Sequence, residues 1–505
     1  MTQPEERLRK LSGILDVAKA LVAERDLGRL LHLVVTSAAR IVSADRCSLF
    51  LVDRERGELW TKVAQGMGMA EIRVPIGSGI AGSVVATRQS VSLPDAYADP
   101  RFNGSVDKQT GYRTKSILCV PMRSIEGEVV GVVQALNKLT APHFDAEDQE
   151  LLEALGGQAA SAVDNALLHA EIERLFEGFV RASVVAIEAR DPTTAGHSGR
   201  VARLSVGLSD VLPKAGASAG RWKGHSLSVL ERRELRYAAL LHDFGKVGVR
   251  ENVLVKANKL EPLELENLRG RFETIYVQEE LAAEREKVSV LLSFQPGEPD
   301  GSEDERRARL AAIDERLRAR KRELTDMFEF ILSCNRPTVL AEGTFDRLGE
   351  IAKSSFRGPF GADPRGFLSE NEVLKLSIRK GSLTAEERRE IESHVTHTYR
   401  FLKQIPWTRA LNKVPDIAYG HHEKLTGGGY PRMLTDPEIV LPTRMMTISD
   451  IYDALTASDR PYKRAVPKDK AYDILIDEAN RGEVDKDLLQ VFIEADVPSR
   501  AASEP

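Results

Sequence analysis

From residue 147 to residue 190 the chain carries no proline, and through that interval runs an apolar stripe. Leu151, Leu152, Leu155, Ala159, Val163, Ala166, Leu167, Ala170, Leu175, Phe176 and Phe179 recur at helical spacing. An unbroken helix of ~40 residues at ~1.5 Å per residue spans ~60 Å, more than one small domain can cover. The segment therefore reads as a connector between two separately folded parts. Parallel pairing with a second copy would bury the stripe, which makes a homodimer the expectation. The alternative is a helix that folds back on its own domain.

A length of 505 residues leaves room for two or three domains. Apolar residues at 42% with 29% charged describe a globular chain rather than a disordered one. A net charge of −5 gives no general bias toward nucleic acid, so no nucleic-acid polymer is expected as a partner. Cys47, Cys119 and Cys334 are scattered without metal-type spacing, which suits a reducing cytoplasm. The polar stretch Met1–Lys10 is not a secretory signal, and no apolar run approaches the ~18 residues of a membrane span. The expected location is the cytoplasm, with no membrane partner.

Residues 7–42 read as helix, with Leu8, Leu11, Leu15, Ala18 and Val22 at helical spacing. Cys47–Asp53 and Glu58–Val63 then read as paired strands, and Val74–Gly82 as a turn leading into a helix. Ile117–Arg123 and Val129–Asn137 form a second predicted hairpin around Gly127. Strands flanked by helices at both ends indicate an α+β sensor domain. Residues 10–170 resemble a GAF domain, and residues 1–165 are assigned to it. Asn137-Lys138, Phe144 and Asp148 are similar to the signature of GAF domains that bind cyclic nucleotides, with Gln149 in place of its acid. That resemblance implies a polar row of Asp107, Thr110, Thr114 and Gln134, with cAMP or cGMP as the ligand. Amide and hydroxyl groups suit a purine edge, and threonine with backbone N–H groups suits a cyclic phosphate. The alternative is a structural pocket in a domain that serves only to dimerise.

The carboxy-terminal half is organised around His421-His-Glu-Lys-Leu-Thr-Gly-Gly-Gly-Tyr-Pro431. Neutral imidazole is the commonest protein metal ligand, and glycine lets a backbone approach a ligand closely. Adjacent side chains at a helix end diverge by about 100°, so His421 and His422 can serve two metals. Alone, the stretch also fits a surface turn with two incidental histidines. Other motifs accompany it: Gly196-His197-Ser198, Tyr237–Lys246 with His242-Asp243, Ser393-His394-Val395, Ser449–Leu455 with Asp450, and Arg460-Pro-Tyr-Lys463. At these residues the chain, from about 175 to 490, resembles the HD-GYP family, phosphohydrolases of the HD superfamily that hydrolyse cyclic di-GMP.

The resemblance implies a ligand set of His197, His242, Asp243, His394, His421, His422 and Asp450. Imidazoles with carboxylates and no thiolate suit two divalent ions, Fe or Mn first, with Ni or Zn also fitting, better than Mg or Ca. Asp243 resembles the carboxylate that bridges the metals, and two ions ~3.5–4 Å apart would activate water and stabilise the attacking and leaving oxygens. Lys246 would neutralise charge at the scissile phosphate. Arg460 and Lys463 resemble the pair that holds the guanylyl phosphates, a task suited to a bidentate guanidinium. Tyr430 would support the loop or a base.

The implied fold is multidomain: an α+β GAF sensor domain, then an all-α HD-superfamily catalytic domain at 191–495 with a helical-hairpin insertion at 261–375. In the insertion, Glu264–Leu292 and Ser302–Leu332 are charged helical stretches separated by Pro296–Gly301. Leu265, Leu268, Phe272, Ile275 and Leu281 are predicted to face Leu310, Ile313, Leu317, Leu324 and Phe328. The insertion reads as a partner-docking element, a lid or a solvated decoration, and the Gly-Tyr-Pro loop is a second place for a protein partner. Thr384-Ala-Glu-Glu387 predicts a capped helix carrying His394 and His397, the latter set aside as a ligand. Three features depart from the family. Thr193 stands where some members have a third-metal glutamate, Thr426 replaces the usual aspartate before the glycines, and the insertion itself is unusual. The expected activity is hydrolysis of cyclic di-GMP to pGpG, either stopping there or going on to GMP. The alternatives are a catalytically weak cyclic di-GMP or partner-binding receptor, and a phosphohydrolase for another nucleotide.

Overall fold

The computed structural model describes residues 3–24, 26–64, 72–191, 195–293, 301–341, 343–358, 363–457 and 465–503. The chain divides into two compact units, Met1–Gly178 and Phe179–Pro505.

In the first unit α1 (Gln3–Ala23) and α2 (Leu27–Ile41) precede β1 (Ala44–Asp53), β2 (Glu58–Ala64) and β3 (Ile72–Pro75). Then come α3 (Gly79–Thr87), β4 (Val91–Leu93), α4 (Ser105–Thr110), β5 (Ile117–Arg123), β6 (Val129–Lys138) and α5 (Ala146–Arg190), whose last residues, from Phe179 on, belong to the second unit. The helix expected over 7–42 is broken in two. Asp26 caps α2, its carboxylate accepting the Arg29 N–H at 2.8 Å, because aspartate bonds nearby backbone donors better at a helix start than inside one. The strands pair antiparallel in the order β3-β2-β1-β6-β5-β4. Alternation along β5 sends Leu118, Val120 and Met122 to a core with Val34 of α2 and Leu152 of α5. Ile117 and Cys119 go to the other face, against Ile80 and Val84 of α3. The sheet is thus covered on both sides. Cys47, Cys119 and Cys334 are buried, and burial raises all three thiols, so they pack rather than ligate.

The stripe of α5 serves two surroundings. Leu151, Leu152, Leu155, Ala159, Val163 and Ala166 lie in the core of the first unit, so this part of the helix does fold back on its own domain. Beyond it Leu168, Ile172, Leu175 and Phe179 are exposed.

Among its described residues the second unit is built from helices, apart from the short pairing of Ser355–Phe356 with Arg365–Gly366. They are α6 (His197–Val211), α7 (Val229–Leu241), α8 (Glu251–Leu254), α9 (Pro262–Ser293), α10 (Gly301–Asn335), α11 (Thr344–Lys353) and α12 (Glu370–Leu376). There follow α13 (Ala385–Glu392), α14 (His394–Leu402), α15 (Val414–Tyr419), α16 (Leu441–Thr456), α17 (Lys468–Asn480), α18 (Lys486–Glu494) and α19 (Val497–Ser503). The capping box at Thr384 and Glu387 starts α13 as the sequence predicts, although Ser393 separates it from α14. Packing of α6 on α7 and α16, and of α15 on α7 and α14, gathers the helix ends that carry the candidate ligands.

The hairpin of α9 and α10 is present. Leu268, Phe272 and Ile275 pack with Leu324, with Phe328 against them. Leu281 was expected in that seam but is exposed, and Ala283 is buried instead. Here the helices are joined through charge: Glu279, Glu280 and Glu286 of α9 pair with Arg320, Lys321 and Arg316 of α10, which fixes the rotation of α9 and turns Leu281 outward. Of the expected break at Pro296–Gly301, residues 296–300 lie outside the described residues, and Gly301 already belongs to α10.

Candidate metal centre

The ligand candidates are delivered by helix ends held together at close quarters. His242 and Asp243 follow α7 and enter a tight turn, Phe244–Gly248. Gly245 has no alternative there, since a Cβ would lie 1.9 Å from the His394 carbonyl oxygen. Its N–H donates to Thr398 Oγ1 at 2.8 Å, and that hydroxyl donates to the His242 carbonyl at 2.8 Å. Phe244 stacks on Phe401 with ring centres 3.7 Å apart. These contacts clamp the His-Asp turn onto α14, which begins at His394. His421 and His422 follow α15, and a Cβ on Gly429 would lie 2.4 Å from Lys424 N, so the loop closes only with glycine there. His197 opens α6 and Asp450 comes from α16.

All seven candidates converge. His197, His242 and Asp450 offer donor atoms within 4.8 Å of one another, and so do His394, His421 and His422. A third set, His242, Asp243 and His421, joins the first two. Asp243 Oδ2 lies 3.4 Å from His242 Nε2 and 3.7 Å from His197 Nε2, while its Oδ1 lies 3.3 Å from His394 Nε2.

Ring orientation follows from the opposite nitrogens. Nδ1 of His242, His394 and His421 meets the carbonyl oxygen three residues earlier, on Ala239, Ile391 and Ala418, at 2.8, 2.5 and 2.7 Å. A carbonyl only accepts, so Nδ1 carries the proton and Nε2 turns a lone pair into the site. Buried His242 Nε2 has no hydrogen-bond partner among the described residues, and it faces Asp243 Oδ2 and Asp450 Oδ1 at 3.4 and 3.8 Å. Acceptor faces acceptor, an arrangement that a cation reconciles. The residues present therefore fit a divalent metal.

Charge agrees with this. Burial and the neighbouring imidazoles hold His421 well below the usual histidine range, and burial brings His422 down to about 4, so both present free lone pairs at neutral pH. Burial opposes ionisation of Asp243 and Asp450, but Lys246 and His242 beside the first and His197 beside the second hold both carboxyls far below their ordinary range. His197 is the exception: Asp450 and Asp453 outweigh burial and raise it to about 9, so without a cation it holds a second proton that a bound metal would displace.

Lys246 Nζ lies 2.9 Å from Asp243 Oδ2 and 3.1 Å from Asp191 Oδ2. The Tyr430 ring lies beside His422 at 4.8 Å, and its N–H donates to the His422 carbonyl at 3.2 Å. Thr426 is exposed, and its hydroxyl accepts the Gly428 N–H at 3.4 Å, a weak version of the cap an aspartate would supply. His397 packs against Gly248 and belongs to none of the three donor groups. Arg460, Lys463 and Thr193 lie outside the described residues.

Three participants were missed from the sequence. Asp453 Oδ2 accepts from His197 Nδ1 at 2.7 Å, and its Oδ1 accepts from Arg200 Nε at 2.6 Å. The signal was present: Asp453 is one turn after Asp450 on the same helix face. Asp191 ties the end of α5 to Lys246, beside an Arg190 bond to the Val249 carbonyl at 3.0 Å. Buried Glu423 accepts the N–H groups of Arg432 and Leu434 at 2.7 and 2.9 Å, holding the glycine loop against α15.

The first unit has a separate cavity of about 190 Å³ bounded by β1, β3, β6 and the start of α3. Asp107, Thr114 and Gln134 line it as expected, with Arg46, Phe50 and Tyr112; the Thr110 side chain lies outside the described residues. Asp107 turns its carboxylate to its own domain, accepting Tyr97 OH at 3.0 Å, Thr114 N at 2.7 Å and Thr114 Oγ1 at 2.8 Å. Lys138 and Asp148 pair at 2.5 Å in the buried interior, joining β6 to α5.

A family profile described as GAF domain matches residues 26–163, and one described as HD domain matches residues 369–488. The chain joins a GAF domain to an HD domain. The HD match holds His394, His421, His422 and Asp450, while His197, His242 and Asp243 precede it and reach the same centre through the fold. A dual 3',5'-cyclic-AMP and -GMP phosphodiesterase 11A of Takifugu rubripes is 35% identical over 175 residues, covering 32% of this chain and 19% of that protein. A probable 3',5'-cyclic phosphodiesterase, pde-5, of Caenorhabditis elegans is 36% identical over 180 residues, covering 33% and 24%. This chain thus spans a quarter or less of these relatives' lengths. The aligned stretches are shorter than the interval from residue 163 to 369, so neither reaches both matched domains. The GAF domain of a phosphoenolpyruvate-protein phosphotransferase (ptsP) from Coxiella burnetii is 23% identical with a TM-score of 0.30, covering 33% of this chain and 98% of that one. Among the described residues no helix is long and apolar enough to cross a membrane.

Proposed function

We propose that the HD region is a metal-dependent phosphodiesterase that opens cyclic di-GMP to pGpG and then GMP, and that the GAF domain regulates it. The observation that carries this reading is Asp243, whose two oxygens face imidazoles of both donor groups. His197, His242 and Asp450 would hold one divalent ion, His394, His421 and His422 a second, and Asp243 would reach both. Iron or manganese suits this nitrogen and oxygen set first, nickel or zinc next. Bound ions supply Lewis acidity to phosphate and leaving-group oxygens. Lys246, kept cationic by Asp243 and Asp191, offsets carboxylate and phosphate charge rather than carrying a proton. Asp453 holds the His197 ring in place. Tyr430 supports the loop or a guanine base, and Arg460 with Lys463 takes the guanylyl phosphates.

The choice of cyclic di-GMP rests on the motif resemblance at His421–Pro431 and Arg460–Lys463. A second reading, hydrolysis of 3',5'-cyclic mononucleotides, draws on the activity named for the relatives. One experiment separates the two. Protein purified without oxygen and assayed for metal is offered cyclic di-GMP, mixed cyclic dinucleotides, a guanosine polyphosphate, cAMP and cGMP. Turnover of cyclic di-GMP to pGpG supports the first reading. Turnover of another substrate alone, or none with metal bound, overturns it.

In this reading the GAF domain at 1–165 binds cAMP or cGMP, α5 transmits, and the catalytic domain at 191–495 responds in the cytoplasm, with 261–375 inserted in it. The cavity falls below the ~300–1,000 Å³ of typical small-molecule sites, so a nucleotide enters only as its walls part. Asp191, at the end of α5, holds Lys246 beside Asp243, so movement of that end reaches the centre through two ion pairs. Pairing of two copies through the open face of α5 beyond Leu168 makes the homodimer.

A further inference from the structure

On the side of α9 away from α10, four apolar side chains stand open to solvent. They are Val277 (58% exposed), Leu281 (48%), Val288 (53%) and Leu292 (80%). Ala283, on the opposite side, is buried. At about 100° per residue the four lie within one narrow stripe, half a turn from Ala283. Their spacing is four, seven and four residues, the same read in either direction.

A helix face whose pattern reads the same both ways matches itself when one helix is turned end for end. In a two-fold interface, position i on one copy meets j on the other and j meets i. Centring the axis between residues 284 and 285 sets Val277 opposite Leu292 of the second copy and Leu281 opposite its Val288. The central pair is then Glu284 against Arg285 of the second copy, opposite charges, made twice. Glu284 Oε1 takes Lys287 Nζ at 2.8 Å, which leaves Oε2 for a second cation. Moving the axis so that 281 faces 284 would set Leu281 against a carboxylate, which favours the first register.

We infer that α9 pairs antiparallel with α9 of a second copy through Val277, Leu281, Glu284, Arg285, Val288 and Leu292. The interface gives the insertion an occupant of its own, independent of any pairing through α5 and of the activity proposed above.

Disulfide trapping in the full-length protein tests it, since all three native cysteines are buried. Leu281→Cys combined with Val288→Cys should form a covalent dimer under mild oxidation at micromolar concentration. Each single substitution should cross-link at least several-fold less, because neither position faces itself. Arg285→Glu added to the double-cysteine protein should lower the yield, and Glu284→Arg added in turn should restore it. Equal cross-linking by the single variants, no dimer from the double variant, or failure of the second charge reversal to restore the yield would overturn the interface. Circular dichroism of each variant guards against misfolding, and these exposed sites should leave it unchanged.

Discussion

Asp107 in the GAF cavity and Asp243 in the metal centre are both buried carboxylates, but their neighbours differ. Asp107 accepts three hydrogen bonds from its own domain. Asp243 has one ammonium at 2.9 Å and otherwise faces imidazole nitrogens at 3.3 to 3.7 Å. The first is satisfied by groups of its own domain. The second belongs to a group of acceptors turned toward one another, which is costly to bury without a cation. The metal is accordingly expected to be part of the fold of the HD region, whereas the proposed nucleotide would be an optional load on the GAF domain.

The largest expected effect breaks the centre outright. Asp243→Ala removes the carboxylate shared by the donor groups and should take hydrolysis below detection with loss of bound metal, while His397→Ala changes rate only mildly. Full activity and metal content in Asp243→Ala would remove the proposed assignment. One step smaller is Asp453→Asn, which keeps a group beside His197 but weakens its charge-assisted bond and the pair with Arg200. Loss of such an outer contact typically costs ~10–100-fold in metal affinity or activity. A positioning role predicts that excess metal restores most of the hydrolysis. A merely structural role predicts a lower melting temperature that metal does not rescue.

The same contrast explains what was legible in the sequence. All seven ligand candidates were named through the resemblance of their motifs to a known family, and the fold brings their donor atoms together. The antiparallel strands were readable because Ile117–Arg123 and Val129–Asn137 are short apolar runs on either side of the turn at Gly127, as strands covered on both faces are. The interruption at Asp26 was hidden because apolar spacing continues across it while a cap occupies a single residue. Leu281 was misplaced because periodicity gives a stripe but not which stripe faces a neighbour, and here ion pairs between α9 and α10 chose. The engagement of Asp107 by Tyr97 was invisible because a hydrogen bond across ten residues of loop leaves no periodic trace.

Intermediate effects come from the ligands themselves. Removing metal from a site at ~100 times its dissociation constant costs ~2.7 kcal/mol, enough to lower the melting of a domain of ~150–250 residues by several degrees. Chelation should therefore shift the transition of the HD region and leave that of the GAF domain in place. A shift shared equally by both transitions would contradict the comparison. Thr426→Asp sharpens it within the loop. A carboxylate in place of the hydroxyl that bonds Gly428 N at 3.4 Å is a better cap, so the Michaelis constant should hold or fall by a few-fold. A large loss of activity would mean the loop is built around threonine.

The smallest effect is expected in the cavity. Thr114→Val keeps the shape of a buried side chain but removes the hydroxyl that donates to Asp107 at 2.8 Å. Tyr97 OH and the backbone N–H of residue 114 still serve that carboxylate, so the loss should be about 1 kcal/mol, the net worth of one hydrogen bond. The GAF melting transition should fall by a few degrees, with basal hydrolysis unchanged. If the hydroxyl also meets a cyclic phosphate, affinity for cAMP or cGMP should drop by ~2–10-fold, the same energy read as binding. Isothermal titration with each nucleotide, beside a melting curve, separates the two contributions. Unchanged affinity would place nucleotide recognition elsewhere in the cavity, and destabilisation well beyond one bond would mean that Asp107 depends on its ligand-side contacts as Asp243 does.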